Sequence, residues 1–246
     1  MTTLLAGASG ATGKLLAEQL LNRGQKVRAI VRAADRLPPE LLDHPDLSVV
    51  EGTVLDFTDA EVAQHVMDCS SIACCLGHNL TFKGVYGHPR RLVTDSIRRL
   101  CRTVQASPKD KPAKFVLMNT AGNSNRSLIE PVGFAQRMVI GLVRLLLPPH
   151  VDNEKAADYL RTEFAEDSGA VEWCVVRPDS LTNETTVTTY DLHCSPTRSA
   201  IFNPGKTSRI NVAHFMADLI TDDATWSKWK GQMPVIYNRP LQDNES

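Results

Sequence analysis

The chain has little that would mark it for a nucleic acid, a membrane or a metal. Its 27 Lys and Arg offset 28 Asp and Glu to a formal net charge of -1, which leaves no basic field for a phosphate backbone and no polybasic tract for a lipid surface. The longest apolar run, Met138 to Leu147, is broken by Arg144 and falls far short of the roughly 20 residues that a bilayer span needs. Six cysteines, Cys69, Cys74, Cys75, Cys101, Cys174 and Cys194, lack metal-ligand spacing and lie mostly in apolar surroundings, so buried thiols and no metal are expected. Neither an internal repeat nor a linker nor a low-complexity tract is present. The first residues run straight into an apolar strand, so we expect no targeting peptide, and reduced thiols then point to the cytoplasm.

What is present is a β-α-β unit. Thr3 to Ala6 form a short apolar strand, Ala11 to Arg23 carry leucines at helical spacing, and Lys26 to Val31 alternate as a second strand. Between the first strand and the helix stand Gly7, Gly10 and Gly13, with Ala8, Ser9, Ala11 and Thr12 between them. Gly7 can turn the chain off the strand, Gly10 lets backbone approach a pyrophosphate, and Gly13 lets helix and strand pack closely. The helix N-terminus then offers unpaired N–H groups and a positive dipole end. The spacing is G-x-x-G-x-x-G, but the motif follows a strand, opens a helix and is closed by a second strand within about thirty residues, the context a dinucleotide fingerprint requires.

The residue that ends the second strand bears on the choice of dinucleotide. An acid there would bind a ribose 2′-hydroxyl, but this chain has Arg32, with Arg36 beyond it. Guanidinium groups suit a 2′-phosphate, which favours NADP(H) over NAD(H).

The β-α alternation continues with a third strand at Leu47 to Glu51, a helix at Thr58 to His65, a fourth strand at Ser71 to Leu76, a helix at Leu92 to Val104 and a fifth strand at Lys114 to Asn119. The predicted fold is therefore α/β: a Rossmann-type, doubly wound parallel sheet in one domain over 1–240, with a small C-terminal substrate-side extension and a tail at 241–246. Thr53 and Val54, after the third strand, are expected against the adenine. Two insertions fall on the ligand face, at 78–91 and 123–150. The first mixes His78, Phe82, Lys83, Tyr86 and His88, a composition unusual for a merely solvated loop. The second holds an apolar helix at Phe134 to Leu147, expected to cap a pocket, pack on the sheet or meet a second subunit. Pro148-Pro149 is read as its stop, and Asp152 or Asn153 as the N-cap of the next helix, which runs to Phe164. A sixth strand at Val171 to Val176, a β-like segment at Val187 to His193, a helix at Val212 to Thr221 and a strand at Pro234 to Tyr237 complete the reading.

In GASGATG at 7–13, VRAIVR ending at Arg32, EGTVLD at 51–56, CLG at 75–77, FVLMNTAG at 115–122, VVRPDSLTN at 175–183 and SRINVAHFMADL, the chain resembles the atypical short-chain dehydrogenase/reductase superfamily. Within it, the likeness is to the NmrA-like branch that includes biliverdin-IXβ and flavin reductases. The resemblance implies phosphate contacts from Gly7 to Gly13, a 2′-phosphate on Arg32 and Arg36, and ribose against Cys75, Leu76 and Gly77. It further implies that Asn119 and Thr120 end the fifth strand at the nicotinamide, that Lys155 reaches its ribose, and that Pro178, Asp179, Ser180 and Leu181 form the loop against its ring.

Typical members carry a tyrosine four residues before that lysine as proton relay, and here the position is Val151. None of Tyr86, Tyr159, Tyr190 or Tyr237 is followed by Lys at that spacing. Two functions are compatible with the gap. One is an NADPH-dependent oxidoreductase that holds a small conjugated or carbonyl acceptor, such as a quinone or flavin, against the nicotinamide, with Thr120, Lys155 or a loop histidine assisting. The other is a non-catalytic NADP(H) redox sensor acting through a protein partner. The expected partner is a small-molecule substrate, with neither nucleic acid nor membrane, for a monomer or homodimer.

Overall fold

A computed structural model describes residues 1–78, 81–107, 110–130, 133–164 and 169–239. The expected tail at 241–246, residues 79 and 80 of the first insertion, residues 131 and 132 of the second, and the side chain of Lys83 lie outside the described residues.

Strand alternation builds two cores. In β1 (Thr2–Ala6) Leu4 and Ala6 enter one apolar cluster and Leu5 the other, so both faces are buried and helices must cover both. The chain proceeds through α1 (Ala11–Asn22), β2 (Lys26–Val31), α2 (Pro39–Leu42), β3 (Leu47–Glu51), α3 (Asp59–Val66), β4 (Cys69–Cys74), α4 (Phe82–Tyr86), α5 (Leu92–Ala106) and β5 (Ala113–Met118). It continues through α6 (Phe134–Leu146), α7 (Pro148–Glu163), β6 (Val171–Pro178), β7 (Ser180–Thr182), β8 (Tyr190–His193), β9 (Lys206–Ser208), α8 (Arg209–Thr221), α9 (Asp223–Trp229) and β10 (Val235–Asn238). α1, α8 and α9 supply one core, and α3, α5 and α7 the other.

The main sheet runs β3-β2-β1-β4-β5-β6-β10-β8, parallel except for the antiparallel pairing of β8 with β10. β7 and β9 pair with each other as a separate two-stranded piece. Strand order reverses between β1 and β4, and the crevice at such a reversal is where ligands of open α/β sheets bind.

Several local expectations change. Pro148-Pro149 opens α7 instead of stopping α6, because a first-turn position needs no N–H and accepts proline's fixed φ. Asp152 therefore caps a different helix: its carboxylate accepts from the backbone N–H of Val93 (2.8 Å) and Thr94 (3.0 Å) at the start of α5. α6 buries only Ile140 and leaves Phe134 (81%), Met138 (62%) and Leu145 (79%) in solvent. Cys194 is exposed and Cys75 half-buried, whereas the other four thiols are buried as expected. No helix among the described residues is long and apolar enough to cross a membrane.

Candidate dinucleotide and acceptor site

The glycine loop is built by close backbone approach. Gly7 sits at φ +84, and a Cβ there would lie 2.7 Å from the Cys75 carbonyl carbon, at the strand-order reversal. A Cβ at Gly13 would collide with the Gly7 carbonyl oxygen, so the loop lies flush on the first turn of α1. Gly10 donates to that same carbonyl at 3.0 Å and forms the N-cap of α1, with no capping side chain and no acid in the first turn. A Cβ on Gly10 would approach only the carbonyl oxygens of Gly7, at 3.3 Å, and Cys75, at 4.0 Å; the rest is open space. The first amides of α1 thus face a cradle with backbone walls and no competing anion.

A cavity of about 700 Å³ opens from this cradle. Gly7, Ser9 and Gly10 line one wall, while Ala8 and Thr12 are buried behind it and Ala11 points to solvent. Arg32 and Arg36 line the end toward β2, on a turn held by the Glu51 carboxylate, which accepts from the Ala34 N–H at 2.6 Å. Thr53 and Val54 line the β3 side; Thr53 Oγ1 donates to Asp56 at 2.7 Å, and the Val54 carbonyl accepts from Arg99 at 2.9 Å. Cys75, Leu76 and Gly77 form the floor beyond β4. Burial pushes the neighbouring Cys74 thiol up to about 12 and Cys75 higher still, so both stay neutral.

The remaining expected residues lie beyond the cavity wall, along the carboxyl edge of β5 and β6. Asn119 is consumed internally: its Oδ1 accepts from the Thr120 N–H (2.9 Å) and from Asn123 (2.6 Å), and its Nδ2 donates to the Asn153 carbonyl (2.9 Å). Thr120 Oγ1 accepts from the Gly122 N–H at 3.2 Å. Pro178 and Ser180–Leu181 are strand residues, paired with β10 and β9 respectively. Asp179 accepts from the Gly205 N–H at 2.8 Å, and burial raises its carboxyl above the ordinary value. Lys155 is exposed on α7 and meets no carboxylate among the described residues, so the fold does not bring it to the cavity.

Residues 7–223 match the profile of a family described as NAD(P)H-binding. The chain belongs to this family. A curated relative, an uncharacterized chloroplastic protein of Arabidopsis thaliana, is 27% identical over 183 residues, covering 73% of this chain and 59% of that protein. The chain thus spans less than two thirds of that relative's length. Among solved structures, a short-chain dehydrogenase/reductase from Veillonella parvula in complex with NADP shares the fold at a TM-score of 0.67 and 17% identity, over 96% of this chain and 94% of that one. An anaerobillin reductase from Escherichia coli does so at 0.67 and 16%, over 98% and 99%. The oxidoreductase ylbE from Lactococcus lactis gives 0.67 and 16%, over 97% and 91%.

Against the fold of this NAD(P)H-binding family, two buried clusters stand out that residue patterns alone did not single out. His78 lines the cavity with its side chain only 5% exposed; its Nε2 lies 2.8 Å from the Asp152 carboxylate and its Nδ1 3.2 Å from the Gly84 carbonyl. The insertion that carries α4 is thereby tied to α7 and roofs the cavity with Gly84, His88 and Pro89. A second tie runs from the Tyr86 hydroxyl to the Leu146 carbonyl at 2.9 Å. The other cluster centres on Arg177, wholly buried in β6. Its guanidinium pairs with Glu130 at 2.8 Å and donates to the carbonyls of Met233 (2.7 Å), Asn123 (2.9 Å) and Cys194 (3.1 Å). An arginine directly after the apolar run Trp173 to Val176 was the sequence signal for it; its carboxylate partner, forty-seven positions away in an irregular loop, carried none.

Proposed function

We propose that this protein is an NADPH-dependent oxidoreductase that passes hydride to a small conjugated or carbonyl acceptor, a quinone, a flavin or similar. One observation carries the reading: a single cavity joins an anion cradle, two arginines and a roof of imidazole groups. The residues present fit a dinucleotide. The open face of Gly10 and the uncapped first turn of α1 suit a pyrophosphate, with Ser9 beside it and Gly7 and Gly13 shaping the loop. Arg32 and Arg36 suit a 2′-phosphate, Thr53 and Val54 the adenine, and Cys75 to Gly77 the ribose. A bound reduced nicotinamide would supply the hydride. The chain's own contribution is to hold the acceptor against it under the 78–91 roof and to exclude water there. Thr120 and Pro178 to Leu181 border that end of the sheet. A cytoplasmic monomer or homodimer completes the reading.

The test is NADPH consumption by the purified protein against quinones, flavins and aldehydes, with NADPH and NADH binding measured alongside. Turnover with tighter NADPH binding is expected; no turnover on any acceptor would overturn it. A redox sensor that binds NADP(H) without turnover is the second reading, and the exposed apolar stripe of α6, open to a protein partner, favours it.

A further inference from the structure

We propose that α6 and the loop before it dock this protein on an anionic lipid surface, peripherally and without a span. Phe134, Met138, Leu142, Leu145 and Leu146 are each more than half exposed, and their spacing along α6 sets them on one face of the helix. Ile140, the residue that α6 buries, lies on the opposite face. Gly141 falls within the exposed face, where a Cβ would meet nothing within 4 Å, so no polar side chain interrupts it. Contiguous exposed apolar surface of this kind marks a contact with protein or with membrane.

Charge decides between the two. From Gly133 to Val151 the chain has no Asp or Glu, and the charged residues of α6 are Arg137 and Arg144, seven positions apart along one edge of the apolar face. On that edge a pocket of about 400 Å³ lies between α6 and the loop 124–130, with Arg126, Arg137 and Arg144 in its wall and the fully exposed Ile129 beside them. Arg126 pairs with Asp158, Arg144 with Glu154, and the Glu130 carboxylate, also in the wall, with Arg177, each at 2.8 Å. Arg137 meets no carboxylate among the described residues, so it is the cation left for an incoming phosphate. A lipid headgroup on Arg137 sets the apolar face of α6 against the acyl region, the arrangement of an interfacial amphipathic helix with arginine at its rim.

A second copy and a specific protein partner fit less well. A two-fold axis would set α6 against α6, both bringing arginines to the joint and neither an acid. A specific protein interface carries roughly one hydrogen bond per 100–200 Å², and the exposed face from Phe134 to Leu146 has no polar side chain to make them. The balanced net charge excludes attachment by charge alone, but this mode draws on apolar area and needs cations only at the edge. The face also reaches the roof of the cavity. The Tyr86 hydroxyl of α4 donates to the Leu146 carbonyl at 2.9 Å, and Phe82, its ring 5.0 Å from that of Tyr86, is 83% exposed. Docking therefore brings the roof to the lipid surface.

The whole chain is tested by flotation with vesicles of phosphatidylcholine alone and vesicles in which one third of it is replaced by phosphatidylglycerol. Wild type is expected to bind the anionic vesicles about five- to tenfold more tightly than the neutral ones, and less tightly as salt is added. The double variant Phe134→Ser, Leu145→Ser should lose about tenfold or more on both kinds of vesicle, and Arg137→Glu should remove most of the preference for the anionic ones. Met67→Ser, at an exposed apolar position at the other edge of the sheet, between α3 and β4, should bind as wild type does. Wild type bound to neither kind of vesicle, or to both equally, overturns the proposal, and so does a folded double variant that binds undiminished. If wild type ignores vesicles and sediments as a dimer that the double variant dissolves, the face takes a second copy and the proposal falls. Should a variant not fold, the wild-type comparison of the two vesicle compositions still decides.

Discussion

The two ends of the ligand face are built on different physical principles. At the β1–α1–β2 end, the site is backbone: Gly7 against Cys75, Gly13 against Gly7, and an uncapped helix end. Each feature depends on residues within a short stretch of chain, so the local sequence specifies it. At the β5–α7 end, side chains reach across to distant segments: His78 to Asp152, Asn119 to the Asn153 carbonyl and Arg177 to Glu130. On the proposed reading, the first end would take the pyrophosphate and the second would discriminate among acceptors. A cradle shared by many enzymes needs only space and amides; a reacting site needs particular groups at particular distances.

The sharpest break of this comparison is Glu130→Ala. Removing the partner of the wholly buried Arg177 guanidinium leaves an uncompensated charge, and a loss of about 3–5 kcal/mol is expected, read by chemical denaturation. The glycine end offers a different outcome: Gly10→Val crowds only the Gly7 carbonyl oxygen, at 3.3 Å, and fills the cradle, so NADPH binding is expected to vanish while the protein stays folded with a melting temperature lowered by at most about 8 °C. Retained binding, measured by fluorescence titration, would show the cradle to be misassigned. Next in size, Arg32→Ala should weaken NADPH by about ten- to a hundredfold and leave NADH nearly unchanged. Equal losses would remove the assignment of the 2′-phosphate.

Acid probes the side-chain end. The Glu154 carboxyl is held at about 2 against an ordinary 4.5, so its ion pairs contribute stability fully above the ordinary value and lose it as pH falls toward the lower one. Glu154→Gln should flatten that part of the stability–pH curve and leave neutral pH behaviour of the glycine loop unchanged. The smallest effects are expected on α6. Phe134→Ser, at an exposed position, should change stability by no more than about 0.5 kcal/mol, whereas Ile140→Ala, at the helix's buried residue, should cost about 2 kcal/mol or more.

Much of the fold was legible because it follows from alternation and glycine placement. The second strand, at Lys26–Val31, and the third, at Leu47–Glu51, fall at the expected residues, and the fourth and fifth shift by one or two. α2, α4, α9, β7 and β9 were not foreseen, because elements of three to seven residues carry too little periodicity to be read. The start of α7 was misplaced because Pro-Pro serves equally as an end signal and as a first turn. At the site, the arginines and glycines that line the cavity were visible as a motif. The side-chain pairs were not, since no local pattern links His78 with Asp152 or Glu130 with Arg177.

By itself the sequence determined the β-α-β frame, the glycine turn that opens α1 and membership of the NAD(P)H-binding family, because turns, helix ends and alternating strands are decided by neighbours along the chain. Tertiary structure alone decided that His78 is committed to Asp152 and that Lys155 faces water. Those outcomes depend on how helices from separate crossovers pack across one sheet edge, and a buried charge finds its partner there in space, wherever that partner lies in sequence.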